Sequence, residues 1–162
     1  MRIDDINWKI IGTIHTPYVN SVPPQPESGS LEDFYITIDD AYLAGIKELH
    51  QFEYVNILFL FHRNESCENS LKVQLPWLNG ESIGVFASRT PHRPNPIGLS
   101  VAKVLKVEDN RIFLDSIDVF DGTPVLDIKP YMHALDCKVD ANNGWMTEEV
   151  IKKIQQFSPP KE

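Results

Sequence analysis

The stretch Arg89-Thr-Pro-His-Arg-Pro-Asn-Pro-Ile-Gly98 concentrates the side chains best suited to ligand chemistry. Arginine forks match carboxylates and phosphates through paired hydrogen bonds, and His92 and Asn95 add donors and acceptors of their own. Pro91, Pro94 and Pro96 set their own φ and push Thr90, Arg93 and Asn95 toward extended backbone, so regular structure is excluded and the loop is stiff. A stiff loop has little freedom to lose when a ligand arrives, which makes it a preorganised contact surface. The other reading is a rigid surface connection whose arginines are solvated or cap carbonyls.

A second segment, Asp121-Gly-Thr-Pro-Val-Leu-Asp-Ile-Lys-Pro-Tyr131, opens on an Asp-Gly turn signal and places Asp127 and Lys129 on one face of an extended chain. A carboxylate there can bond a ribose hydroxyl or take a proton from an amine; it can equally form a local ion pair that holds the turn. His62 and Arg63 close the strongest apolar run, and residues at a strand end face whatever cleft the loops form. His15, His50 and His133 show no metal-ligand spacing, so no metal is expected. Neither a Gly-x-Gly-x-x-Gly fingerprint nor a Gly-Lys-Ser/Thr phosphate loop nor a Gly-x-Ser-x-Gly elbow occurs.

The elements that must carry these segments are mostly strands. Trp8 to Ile14, Phe34 to Ile38, Tyr54 to Phe61, Leu71 to Leu75, Ser82 to Phe86, Leu99 to Val107 and Arg111 to Val119 alternate or are rich in β-branched and aromatic residues. Glu108-Asp109-Asn110 joins the last two as a hairpin. Asp39 stands as N-cap of a helix carrying Tyr42, Leu43, Ile46 and Leu49, and Thr147 caps a second helix to about residue 157 with Val150, Ile154 and Phe157 as its buried stripe. The Pro-rich stretch from Ser21 to Ser30 reads as loop. Many strands not regularly separated by helices predict a mainly β fold, an antiparallel β-barrel or sandwich with short peripheral helices.

The chain has 162 residues, 42% of them hydrophobic, which is the size of one domain, residues 1–162, with its core from about 8 to 136. The longest apolar run, Val55 to Phe61, is broken by Asn56 and is far too short to span a bilayer, and Met1 to Asn7 is polar and acidic where a secretory signal needs a basic then apolar stretch. A cytoplasmic protein is expected. Cys67 and Cys137 are the only cysteines and are read as free thiols. A net charge of -8 excludes a protein that coats nucleic acid with its whole surface, so any RNA must meet a local basic patch.

The two segments Gly84 to Ser100 and Asp121 to Tyr131, with Ile11-Gly-Thr-Ile-His-Thr-Pro17 and Leu60-Phe-His-Arg63 in the same order, resemble the signature of the TsaA/TrmO family over roughly Trp8 to Asp136. That resemblance implies a β-barrel methyltransferase of non-Rossmann type, a homodimer with S-adenosylmethionine near the subunit boundary. It implies methylation of the N6 nitrogen of threonylcarbamoyladenosine beside the anticodon of transfer RNA. Carried over by residue, His62, Arg63, Arg89, Leu99 and the turn Phe120, Asp121, Gly122 and Thr123 resemble the cofactor-contacting positions. Pro23, Pro24 and Gln25 stand where the family has Pro-Arg-Gln, also a cofactor segment.

In this picture Arg89 and the His62–Arg63 pair hold the polar ends of the cofactor, while Leu99 and Phe120 supply apolar contact. Arg93 or Lys129 pairs with the threonyl carboxylate, and Asp127 takes the amine proton. Asn95 and Tyr131 join the substrate contacts, and RNA docks on a strip of Arg63, Arg89, Arg93, Lys103 and Lys129. A different acceptor on the same fold, or a module that binds without turnover, are the alternatives.

Overall fold

Strand alternation and closure decide the architecture. The computed structural model describes residues 7–27, 29–64 and 71–157. In chain order the strands are β1 (Gly12–His15), β2 (Tyr35–Ile38), β3 (Tyr54–Leu60), β4 (Lys72–Gln74), β5 (Ser82–Gly84), β6 (Ile97–Glu108), β7 (Arg111–Leu114) and β8 (Thr123–Pro130), followed by helices α1 (His133–Asp136) and α2 (Glu148–Gln156). The order β1-β2-β7-β6-β3-β8 forms a closed barrel, because β8 pairs back onto β1, and every pairing is antiparallel. Closure leaves no free edge in that sheet. Strands β4 and β5 form a separate hairpin.

Along β3, Val55, Ile57 and Phe59 are buried while Asn56, Leu58 and Leu60 are only half-buried, the period of two that a one-sided strand requires. They meet Ile14, Ile36, Ile38, Ile112, Leu114 and Val125 inside the barrel. Gly98 lies where the Pro-rich loop re-enters β6. A Cβ there would stand 2.1 Å from Cε2 of Phe59, so the loop is seated on the core ring only because the residue is glycine.

Four expectations are corrected. The first strand begins at Gly12, with Trp8 exposed. The helix expected after Asp39 is two 3-10 segments, Asp40–Ile46 and Leu49–Gln51, and Asp39 makes no side-chain cap bond. Its apolar stripe is correct, since Tyr42, Leu43, Ile46 and Leu49 pack against the core. The strand expected to reach Val119 stops at Leu114, where the Asp115 carboxylate accepts the amides of Lys103 at 2.9 Å and Ser116 at 2.8 Å in place of ladder partners. Finally, Asp121 to Tyr131 is largely strand β8, seated between β1 and β3 in spite of Pro124.

The hairpin of β6 and β7 turns through Asp109 in the left-handed region at φ 51°. Helix α2 starts as expected: Thr147 Oγ1 accepts from Val150 N at 3.4 Å, and Lys153 pairs with Glu149 at 2.9 Å. Ile154 is buried, and Phe157 meets Trp77 edge to face at 5.9 Å, which docks α2 beside the turn that links β4 to β5. Cys137 is a free thiol; Cys67 and the acidic start of the chain through residue 6 lie outside the described residues. No helix among the described residues is long and apolar enough to cross a membrane.

Candidate functional site

A cleft of about 1290 Å³ opens at one rim of the barrel. One wall is barrel: the end of β3, the start of β6 and the segment from Asp118 to Thr123. The wall outside the barrel is built by Phe86 to Pro91 and Arg93 to Asn95, Trp77 of the hairpin lobe, and Trp145 and Met146 ahead of α2. The Pro-rich loop with Pro24 and Gln25 closes one end.

The Arg89 loop is knitted to itself. Ser88 Oγ donates to Val85 O at 3.0 Å, His92 N donates to Thr90 Oγ1 at 3.3 Å, and Arg93 Nη1 reaches Ser88 O at 3.5 Å. Thr90 is buried, so the side chain before Pro91 anchors the loop. Arg89 makes no hydrogen bond or ion pair with any described residue, which leaves its whole fork for a ligand. Asn95 also lines the cleft and is exposed.

His62 and Arg63 both line the cleft, but their roles separate. Arg63 donates to Val19 O and lies over the Phe120 ring at 4.6 Å, so its fork is partly committed to holding the loop after β1. Burial first, and then the charge of Arg63, lowers the His62 pKa, while Asp121 raises it. The ring is therefore neutral at pH 7. Its Nδ1 stands 3.4 Å from Thr123 Oγ1, whose proton is given to Phe120 O at 2.7 Å. With the hydroxyl proton on Phe120 O, the contact favours the tautomer that donates from Nδ1 and leaves Nε2 as the acceptor atom.

Asp121 and Gly122 are structural in this turn. The Asp121 carboxylate accepts from Thr16 N at 3.2 Å and faces His15 Nδ1 at 3.4 Å, and Gly122, at φ 80°, donates to Ile14 O at 3.0 Å. They bind the turn to β1 and so present Phe120 and Thr123 to the cleft; neither lines it.

Asp118 is the cleft carboxylate that motif reading misses. Because the chain leaves the barrel at Asp115, Asp118 runs along the rim and lines the cleft. Burial pushes its pKa up to about 6 against the pull of its own backbone amide and of Arg89. A carboxyl in that range sits ready to exchange a proton near neutrality.

The segment read from Asp127 to Tyr131 points elsewhere. A bulge in β8 shifts the register so that Val125 opposes Phe59 but Asp127 opposes Leu58. With Ile128 opposite buried Ile57, Asp127 and Lys129 face outward, 2.6 Å apart as an ion pair. Tyr131 stands edge-on to Tyr54 at 6.5 Å on the same wall. None of the three lines the cleft. Among the described residues no group of His, Cys, Asp or Glu is arranged to hold a metal.

The closed antiparallel barrel with an arginine-bearing, aromatic-lined rim cleft defines a ligand-binding β-barrel outside the glycine-loop nucleotide folds. The chain belongs to the tRNA-methyltransferase O N-terminal domain family, whose model matches residues 13–137. It is 56% identical over 88 residues to the human tRNA (adenine(37)-N6)-methyltransferase, covering 54% of this chain and 20% of that one. It is 34% identical over 149 residues to a probable S-adenosyl-L-methionine-binding protein of Pyrococcus abyssi, covering 91% and 79% of the two chains. The crystal structure of TrmO from Pseudomonas aeruginosa superimposes with a TM-score of 0.67 at 32% identity, over 86% of this chain and 62% of that one. The chain thus spans about a fifth of the mammalian relatives' length.

Proposed function

We propose that this chain transfers a methyl group from S-adenosylmethionine to the N6 nitrogen of an adenine in transfer RNA, and that the adenine is the threonylcarbamoylated one beside the anticodon. The observation that carries this reading is the meeting, in one rim cleft, of the Arg89 fork, which makes no hydrogen bond or ion pair with a described residue, and the half-buried carboxyl of Asp118, whose pKa is pushed up to about 6. The names of the relatives support the cofactor and the acceptor class.

The cleft's donor set fits the cofactor. Arg89 suits its carboxylate, Leu99 and Phe120 offer apolar surface to its ring or stem, and the neutral His62 adds no charge against its sulfonium. Pro24 and Gln25 close that end. When bound, the cofactor supplies an electrophilic methyl carbon. The chain then needs only to align the acceptor nitrogen and receive its proton. Asp118, as carboxylate, would take the N6 proton as the carbon–nitrogen bond forms and the methyl carbon's bond to the sulfonium sulfur breaks; Arg93 is set to pair with the threonyl carboxylate, and Asn95 lines the same cleft.

The outer wall supports a homodimer. Leu99, Val101 and Leu105 alternate outward on β6 and are each about half exposed, next to Tyr54 and Leu58 of β3. Leu99 and Val101 also line the cleft, so a second copy on this wall would reach its mouth and bring the partner's surface beside each site. Val101→Glu is expected to yield monomers in sedimentation and to lower transfer; an unchanged dimer would remove this wall from the interface.

The test of the activity is single-turnover transfer from labelled S-adenosylmethionine to transfer RNAs with and without the threonylcarbamoyl group, read by mass of the nucleoside. Label on N6 of the modified adenosine alone supports the full reading. Label on unmodified adenosine keeps the reaction and discards the threonylcarbamoyl requirement. Cofactor binding without transfer to either RNA overturns the reading.

A further inference from the structure

The cleft's two walls differ in chemistry. The barrel wall carries Asp118, His62, Thr123 and Leu99, whereas the wall outside the barrel presents aromatic surface. Phe86 is 76% exposed, an unusual position for a phenylalanine that lines a cleft. It projects from a 3-10 turn, Val85–Ala87, whose other members are tied down: Val85 is buried and donates to Leu71 O at 3.0 Å, and Ser88 Oγ donates to Val85 O at 3.0 Å. One residue on, Ala87 O accepts the Trp145 indole N–H at 2.7 Å. That bond holds a second large ring against the same turn, from a segment beyond the residues the family model matches.

At about 1290 Å³ the cleft exceeds the ~300–1,000 Å³ of a typical single small-molecule site, so it has room for two ligands side by side. Two further donors, Asn64 Nδ2 and Trp77 Nε1, are buried side-chain atoms of its lining and have no hydrogen-bond partner among the described residues. Buried donors are seldom left unpaired, and these await acceptor atoms that a ligand would bring. Open aromatic rings in a cleft that also carries Arg93, in a chain of net charge -8, are the features that receive an unpaired nucleobase and its phosphates.

We propose that Phe86, with Trp145 latched to Ala87, forms the seat on which the acceptor nucleobase stacks, opposite the barrel wall that takes the cofactor. The proposal rests on the reading of the chain as an RNA methyltransferase, but it predicts a property of binding that does not require turnover. The phenylalanine is exposed in the free protein, so its removal leaves the core intact, and the tryptophan latch fixes the width of the slot.

The probes are a short RNA stem–loop with one unpaired adenine and the same stem–loop with an abasic residue in its place, bound to the full chain with S-adenosylmethionine present. The parent is expected to prefer the adenine about tenfold, the scale of one base stacked on an aromatic ring. Phe86→Ala should abolish that preference while cofactor affinity stays within about twofold. Trp145→Phe, which keeps a ring and loses the latch, should weaken the preference only in part.

No preference in the parent, or a preference that survives in Phe86→Ala, overturns the proposal. So does loss of cofactor affinity in Phe86→Ala, which would assign the ring to the cofactor's own adenine, or dissociation of a dimer, which would assign it to a second copy. A base preference that Phe86→Ala abolishes, in a protein that transfers no methyl group, would keep the seat and sink the proposed reaction.

Discussion

Asp118 and Asp127 belong to two regions joined by a single turn, the rim segment before β8 and the outer wall of β8, yet they have opposite surroundings. Asp118 lines the cleft, loses solvation, and is pushed up to about 6 even with Arg89 nearby. Asp127 faces outward, is 44% exposed, and is held by Lys129 at 2.6 Å. The raised pKa follows from where a carboxyl is desolvated rather than from which motif contains it. An exposed ion pair supplies little stability.

Breaking this comparison has its largest expected effect on turnover. Asp118→Asn should lower single-turnover transfer by about 10²–10⁴-fold, the range of a lost general base, whereas Asp127→Asn should stay within about threefold of the parent. Equal losses from the two would end the distinction. In the parent, kcat/KM should rise with pH through about 6, because only the carboxylate accepts a proton. That limb should vanish in Asp118→Asn.

The same group has a stability signature of the opposite sense. Its folded pKa is above the ordinary 3.8, so the native state binds the proton more tightly than the unfolded chain. Stability contributed by the protonated form is therefore lost as pH rises from 3.8 to about 6. Asp118→Asn should be less sensitive to pH in thermal melts across that window. A parent whose melting temperature rose through it relative to Asp118→Asn would contradict that desolvation.

Smaller effects sharpen the picture. Arg89→Ala should weaken cofactor binding by roughly 10- to 100-fold, the worth of a charge-assisted hydrogen bond, and should shift the pH limb upward by removing a cation that favours the carboxylate. Unchanged cofactor affinity by calorimetry would release Arg89 from that role. Smallest of all, Lys129→Ala should cost no more than about 1 kcal/mol in denaturant unfolding. A larger cost would mean that the outer pair is buried in an assembly.

Several elements are legible in the residues because their causes are local. The alternation of Tyr54 to Phe61, the turn at Asp109 and the cap at Thr147 each need only a few neighbours, and all three stand close to their expected positions. The stiffness of the Arg89 loop is likewise written in its prolines. One failure lies where a side chain competes for backbone partners, since Asp115 ends β7 early; another is the pair of 3-10 turns after Asp39, which replace a helix while keeping its apolar stripe. Phe86 lies within the Gly84 to Ser100 signature and Trp145 outside it, and nothing in their spacing announces that a turn and a C-terminal segment meet.

Read by itself, the sequence determines a β-rich domain, a rigid arginine loop, and a family, because these depend on residue type, short-range periodicity and local backbone limits. The tertiary structure alone decided which groups share the cleft. A bulge in β8 turned Asp127 and Lys129 outward, and the early exit of the chain at Asp115 carried Asp118 to the rim. Desolvation and the meeting of distant segments are through-space properties. They arise only once the barrel has closed and its rim has been covered.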